Sequence, residues 1–236
     1  MKSFSFMMFF LLTIPTFGQE TDKSKIINLL KKSQQVFEGL KSYYFESDYK
    51  LYVNQTSNEV KESYTGITVK KDHLAYSKIA TTEFVILKDL NLKIDNNTKR
   101  IQISTEKNQE NLTPNFDIKK YLNYFVSYKI TEVNNQYKCE LKTDKVTMIP
   151  YSKVVIYIDK KTSRMLKQEL YFLTKHKTKI VKGKPHYDYP RLEIVFSNFK
   201  TEDIDSDVLF KKENYVIVNK GKYIPTKKYK EYLIVD

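Results

Sequence analysis

The sequence predicts a mainly β (α+β) protein, built as one strongly curled antiparallel sheet of about eleven strands with helix packed against it. Three observations predict this. One stretch near the start has a helical period, and almost everything after it alternates with period 2. The alternating segments are rich in Val, Ile, Thr, Tyr and Phe, which suit a half-buried pleated surface; the 236 residues include 19 Tyr and 14 Phe. No linker interrupts the series, and a sheet of that many strands must curl, split or close.

Residues 1–18 are expected to be a secretory signal peptide. Lys2 is a short positive region, Phe4–Leu12 an apolar run, and Thr16 and Gly18 occupy the −3 and −1 positions of a cleavage site before Gln19. The apolar run is too short for a spanning helix. No Cys follows it, so no lipid anchor is expected on this chain. Residues 19–236 are then expected to form a single domain.

Asp22–Leu40 reads as an amphipathic helix. Ile26, Leu29, Leu30, Ser33, Val36, Phe37 and Leu40 share a face, with Asp22 as N-cap and Gly39 near the stop. From Ser42 the period becomes 2. Tyr43, Phe45, Tyr49, Leu51 and Val53 face one way; Tyr44, Glu46, Asp48, Lys50 and Tyr52 face the other. Further strands are expected at 59–70, 73–79, 83–88, 91–95 and 100–104. After a polar loop at 106–115, residues 116–125 are expected to form a short middle helix. Strands resume at 127–133, 137–142, 153–159, 164–173 and 191–200, with Leu192, Ile194 and Phe196 on one face. Residues 174–190 read as an exposed basic loop, residues 208–210 as a return to the core, and residues 215–218 and 231–235 as late strands around a turn at Lys220–Lys222.

Two turns share one pattern. Leu92-Lys93-Ile94-Asp95-Asn96-Asn97-Thr98-Lys99-Arg100-Ile101 matches Ile156-Tyr157-Ile158-Asp159-Lys160-Lys161-Thr162-Ser163-Arg164-Met165. In each, Asp closes a strand and Thr follows three residues later. Both side chains can bond local backbone and stabilise a tight reversal, so both are read as hairpins.

Catalytic chemistry is hard to find. One Cys excludes an internal disulfide framework and any multi-Cys metal site. Cys139 falls on the face shared with Tyr137 and Leu141, where a buried thiol is expected. His176 and His186 lie in the basic loop without compact ligand spacing. Five Gly, scattered singly, make no phosphate-binding loop. No nucleophile motif appears, so neither an enzyme nor a cofactor or metal is expected. The 41 Lys+Arg against 28 Asp+Glu give a net charge of +13. With export expected, nucleic acid is not the partner. The densest basic surface is Lys175, Lys177, Lys179, Lys182 and Lys184, suited to an anionic membrane surface or an envelope protein.

The order of parts resembles the LolA/LolB-type outer-membrane lipoprotein carriers and related lipoprotein-sorting proteins. The resemblance runs through the helix ending in Phe37-Glu38-Gly39-Leu40, the long strand Tyr43–Val53, the two strand–Asp–turn–strand units, and Leu192-Glu193-Ile194-Val195-Phe196-Ser197-Asn198-Phe199 leading to Val208-Leu209-Phe210. It implies a half-open barrel with the helices as a lid over an apolar cavity. It also implies a monomeric periplasmic carrier of an acylated protein or lipid. The cavity candidates are Phe45, Tyr49, Leu51, Ile156, Ile158, Leu170, Phe172, Leu192, Ile194 and Phe196, and the lid candidates Ile26, Leu30 and Phe37. The competing expectation is a non-catalytic envelope interaction module that uses the basic loop and the C-terminal tail.

Overall fold

The computed structural model describes residues 21–105, 122–144 and 146–235. The expected signal peptide, the loop at 106–115 and most of the expected middle helix lie outside the described residues. Of that helix, Leu122–Tyr124 form a single 3-10 turn, and Phe125 already opens a strand.

Helix α1 spans Asp22–Glu38. Its N-cap is Thr21 rather than Asp22: the Thr21 Oγ1 accepts the Ser24 amide at 3.3 Å. Asp22 enters the first turn instead, where a negative charge suits the helix dipole. Its carboxylate accepts the amide of Ile130 at 3.2 Å. Ile26, Leu30, Ser33 and Phe37 form the buried stripe, three of the four being apolar.

Sixteen strands follow among the described residues: β1 (Ser42–Tyr52), β2 (Val60–Lys71), β3 (Leu74–Ile79), β4 (Thr82–Ile86), β5 (Asn91–Asp95), β6 (Arg100–Ser104), β7 (Phe125–Val133), β8 (Gln136–Thr143), β9 (Tyr151–Asp159), β10 (Met165–Phe172), β11 (His176–Val181), β12 (Lys184–Asp188), β13 (Arg191–Lys200), β14 (Val216–Asn219), β15 (Lys222–Pro225) and β16 (Leu233–Val235). Twelve of them make one open sheet in the order β16-β6-β5-β4-β3-β2-β1-β13-β10-β9-β8-β7. This is the half-open, helix-bearing architecture expected from the sequence. Its neighbours pair antiparallel except β16, which runs parallel to β6. The wholly antiparallel expectation fails there because no hairpin leads to β16. The chain reaches it through a 3-10 turn at Lys227–Tyr229.

Both shared turns are hairpins. Asp95 Oδ1 accepts the amides of Asn97 and Thr98, and Asp159 Oδ1 accepts the Thr162 amide at 2.7 Å and its hydroxyl at 2.8 Å. Lys99 and Ser163 occupy the same left-handed position, at φ 53° and 58°.

Residues 174–190 depart from expectation. They hold the hairpin β11–β12, closed by Lys182 and Gly183 at φ 47° and 76°. Two consecutive left-handed residues match the twist of the flanking strands, which a sequence read for its lysines conceals. Lys220-Gly221 closes β14–β15 in the same way. Val208, expected to return to the core, is exposed, while Leu209 and Phe210 pack inward from their 3-10 turn.

The sheet buries different faces at its two ends. Tyr43 and Phe45 lie opposite Lys70 and Thr68, whereas Tyr44 lies opposite Val69. On the Phe45 face, β8, β9 and β10 present Cys139, Leu141, Ile156, Ile158 and Leu170 to Ile26 and Leu30 of α1. On the Tyr44 face, β2 to β6 present Val69, Tyr76, Val85, Ile94 and Ile101 to Tyr215, Val216 and Tyr229 of the C-terminal segment. The tail therefore seals one half of the sheet from the side opposite the helix.

Candidate functional site

A third, aromatic cluster joins the end of α1 to the centre of the sheet: Phe37, Tyr43 and Phe45, with Leu40, Phe196 and Phe199 packed on it. Phe37 meets Tyr43, Phe45 and Phe199 edge-on, at centroid separations of 5.5, 6.2 and 5.7 Å. Tyr43 stacks between Phe45 and Phe199. Edge-on and stacked contacts are the geometries that the ring quadrupole favours.

A cavity of about 230 Å³ opens beside this cluster, lined by Phe37, Phe45, Phe196, Phe199, Met165, Leu166, Arg164, Ser197 and Asn198. Its wall depends on a bulge. Phe196 and Phe199 are three residues apart, a spacing that sends side chains to opposite faces of a regular strand. Between β1 and β13, Tyr44 pairs with Lys200 but Glu46 pairs with Ser197, so β13 carries one extra residue. Asn198 takes the left-handed conformation there, at φ 51°. Its Nδ2 donates to Glu46 Oε2 at 2.6 Å. Both rings consequently reach the same cavity. Hydrogen bonds from Tyr44 and Asn198 hold the Glu46 carboxyl below its ordinary pKa, so it stays an acceptor for the bulge.

Arg164 arrives from the other side, one residue after the left-handed Ser163 of the β9–β10 turn. Its guanidinium lies 4.4 Å over the Phe199 ring. The Arg164 Nε is buried without a hydrogen-bond partner. Among the described residues no carboxylate pairs with Arg164. The bonds from Thr162 hold Asp159 below its ordinary pKa, with a smaller contribution from the Arg164 charge.

The expected site residues divide into groups. Phe45 and Phe196 line the cavity, with Phe37 of the helix. Ile156, Ile158 and Leu170 are buried beneath Ile26 and Leu30, and Leu192 and Ile194 pack on that core. Tyr49 stacks on Tyr64 at 4.8 Å, Leu51 is half-buried, and Phe172 lies edge-on to Tyr151 at the far end of β10. Arg164 and Phe199 were missed as site residues. The signals for them were an Asn inside an alternating run, which tolerates left-handed backbone, and an Arg fixed just after a repeated turn.

Other groups are structural. Cys139 lies under α1, and burial pushes its thiol up to about 12, so it is protonated and no nucleophile near neutrality. On the opposite face Glu169 is buried; desolvation opposes its charge, but Lys167 at 2.8 Å and the Tyr171 hydroxyl at 2.9 Å outweigh it and lower its pKa. A second groove, of about 640 Å³, runs between α1 and β7–β8, with Asp22, Lys25, Lys32 and Glu132 among its lining residues. Lys175, Lys177, Lys182 and Lys184 are exposed on or beside the β11–β12 hairpin, and Lys179 belongs to β11. Among the described residues no three His, Cys, Asp or Glu cluster as metal ligands, and no helix is long and apolar enough to cross a membrane.

No family of known proteins matches this chain, and no curated protein matches it. Solved structures do align with it. A DUF1329 family protein from Desulfovibrio piger shows 15% identity and a TM-score of 0.38, over 81% of this chain and 98% of that one. A LolA superfamily protein from Nitrosomonas europaea shows 10% identity and a TM-score of 0.33, over 78% and 97%. The lipoprotein LppX from Mycobacterium tuberculosis shows 8% identity and a TM-score of 0.35, over 78% and 98%. At such distances function must be argued from the site itself.

Proposed function

We propose that this protein is an exported, periplasmic carrier or binding protein for an acylated or lipid ligand, not an enzyme. The observation behind the reading is the aromatic cavity at the end of α1, where Phe37, Phe45, Phe196 and Phe199 face open space. A binding-only role needs burial alone, and each methylene moved from water into such a wall contributes about 0.8 kcal/mol. The helix holds Phe37 over the sheet while Ile26 and Leu30 anchor it to the core, so one end of the lid is fixed and the other borders the cavity.

The test is binding of dodecyl-chain ligands by calorimetry, with mass spectrometry of lipid that copurifies with the protein. Leu166→Trp adds bulk to the cavity wall and is expected to abolish binding while the chain stays folded by circular dichroism. A wild-type protein that captures no acyl chain would sink this reading.

A second reading has its own observation. Ile180 and Tyr187 are exposed on the hairpin that carries Lys177 and Lys184. Lysines beside exposed apolar groups fit a docking arm for an anionic membrane surface. Binding to vesicles containing phosphatidylglycerol that weakens as salt rises favours this role.

A further inference from the structure

We propose that Arg164 recognises the headgroup of the bound molecule, and that the cavity takes the chain of an anionic single-chain amphiphile ending in a carboxylate or a phosphate. The inference rests on the carrier reading and narrows its ligand.

A buried donor on a charged group is costly when unpaired. Arg164 Nε is such a donor, and it borders the cavity. A guanidinium cannot lose its proton to relieve the cost. Its planar fork matches the oxygens of a carboxylate or phosphate, two bonds at a time. Among the described residues no carboxylate comes within ion-pair distance of Arg164; Asp159, whose carboxyl senses the Arg164 charge, gives its Oδ1 to Thr162. Phe199 packs against the guanidinium from one side, a contact that gives the Nε–H no acceptor.

The apolar part of the site points the same way. A volume of about 230 Å³ falls below the roughly 300–1,000 Å³ of a site that encloses a whole small molecule. It suits one chain, threaded past the Phe37, Phe45 and Phe196 rings, with the head left at the rim. A chain attached through an ester or amide brings a carbonyl that can accept one hydrogen bond, but neither the charge nor the paired oxygens that match a guanidinium. A free acid or a monoalkyl phosphate brings two or three oxygens.

The experiment compares dodecanoate, dodecyl phosphate and dodecanol by calorimetry on the intact chain, each below its aggregation limit. The anionic ligands are expected to bind about tenfold more tightly than the alcohol, the value of a charge-assisted hydrogen bond. Whichever anion binds better identifies the head. Arg164→Met is expected to erase the preference while dodecanol still binds, and Arg164→Lys to keep part of it. Equal affinity of the wild type for all three overturns the headgroup role and leaves the carrier reading standing. Failure to bind any of the three overturns the carrier reading itself. The wild-type comparison decides the question even if a variant misfolds.

Discussion

Asn198 decides where two phenylalanines point. Its backbone sits at φ 51°, which Asn and Gly tolerate and β-branched residues do not. Asn198→Gly is expected to keep the bulge and the cavity. Asn198→Val is expected to cost about 1–3 kcal/mol, read as a lower urea midpoint, and to weaken acyl binding with it. Loss of stability without loss of binding would show that the two rings do not need the bulge. This residue also marks the limit of what the sequence reveals. The alternation of Leu192, Ile194 and Phe196 was legible because period 2 is a local property. The placement of Phe199 was not, because the extra residue is set by the pairing of β13 with β1, a contact between distant segments. Arg164 was legible as part of a turn for the same local reason, since Asp159 and Thr162 build that turn with their own side chains. That its guanidinium would lie over Phe199 depends on how β10 and β13 meet.

At the scale of the element, α1 was read correctly as a helix packed on sheet, because its apolar stripe has one period and one partner. Leu30 sits in that stripe against the inner face of the sheet. Leu30→Ala is expected to destabilise the protein by about 2–5 kcal/mol, the range for deleting a buried leucine side chain. The same variant is expected to open Cys139 to alkylation at pH 8, where the parent protein resists it. Mass spectrometry after iodoacetamide treatment reads the difference, and equal labelling of both proteins would mean that the helix does not shield the thiol. The β11–β12 hairpin was the opposite case. Lysines hide a strand because they carry little β preference of their own. The surviving signal was Lys182-Gly183, two residues able to adopt left-handed backbone together.

For the molecule as a whole, the two large cores occupy opposite faces of one sheet. Period 2 predicts that faces alternate in character, but it carries no information about which face is covered in which half. That is decided by where the helix and the C-terminal segment come to rest. Both halves bury acidic protons in neutral form. Burial pushes Cys139 and Tyr43 up to about 12, and burial with a hydrogen bond to Glu169 does the same for Tyr171. The Tyr76 and Tyr215 hydroxyls are raised as well, chiefly by burial. A folded pKa above the unfolded one means that the unfolded chain releases its proton first as pH rises. The stability from these groups is complete below about pH 9, and it is lost progressively towards pH 12. The urea midpoint is expected to fall steadily from pH 9 to pH 11; a flat profile would contradict the burial of these hydroxyls.

The bond from Asp22 to Ile130 has a consequence for self-association. An open sheet ends in two rows of unpaired backbone groups, each a template for another chain. At one end the row along β6 is taken by β16, which leaves a strand of only three residues as the edge. At the other end β7 has β8 on one side only. The Asp22 carboxylate takes the Ile130 amide midway along β7 and sets a negative charge where an incoming strand would place a carbonyl. The helix that borders the cavity thus also sets a carboxylate on the outer edge of the last strand, the kind of charge that blunts edge-to-edge pairing.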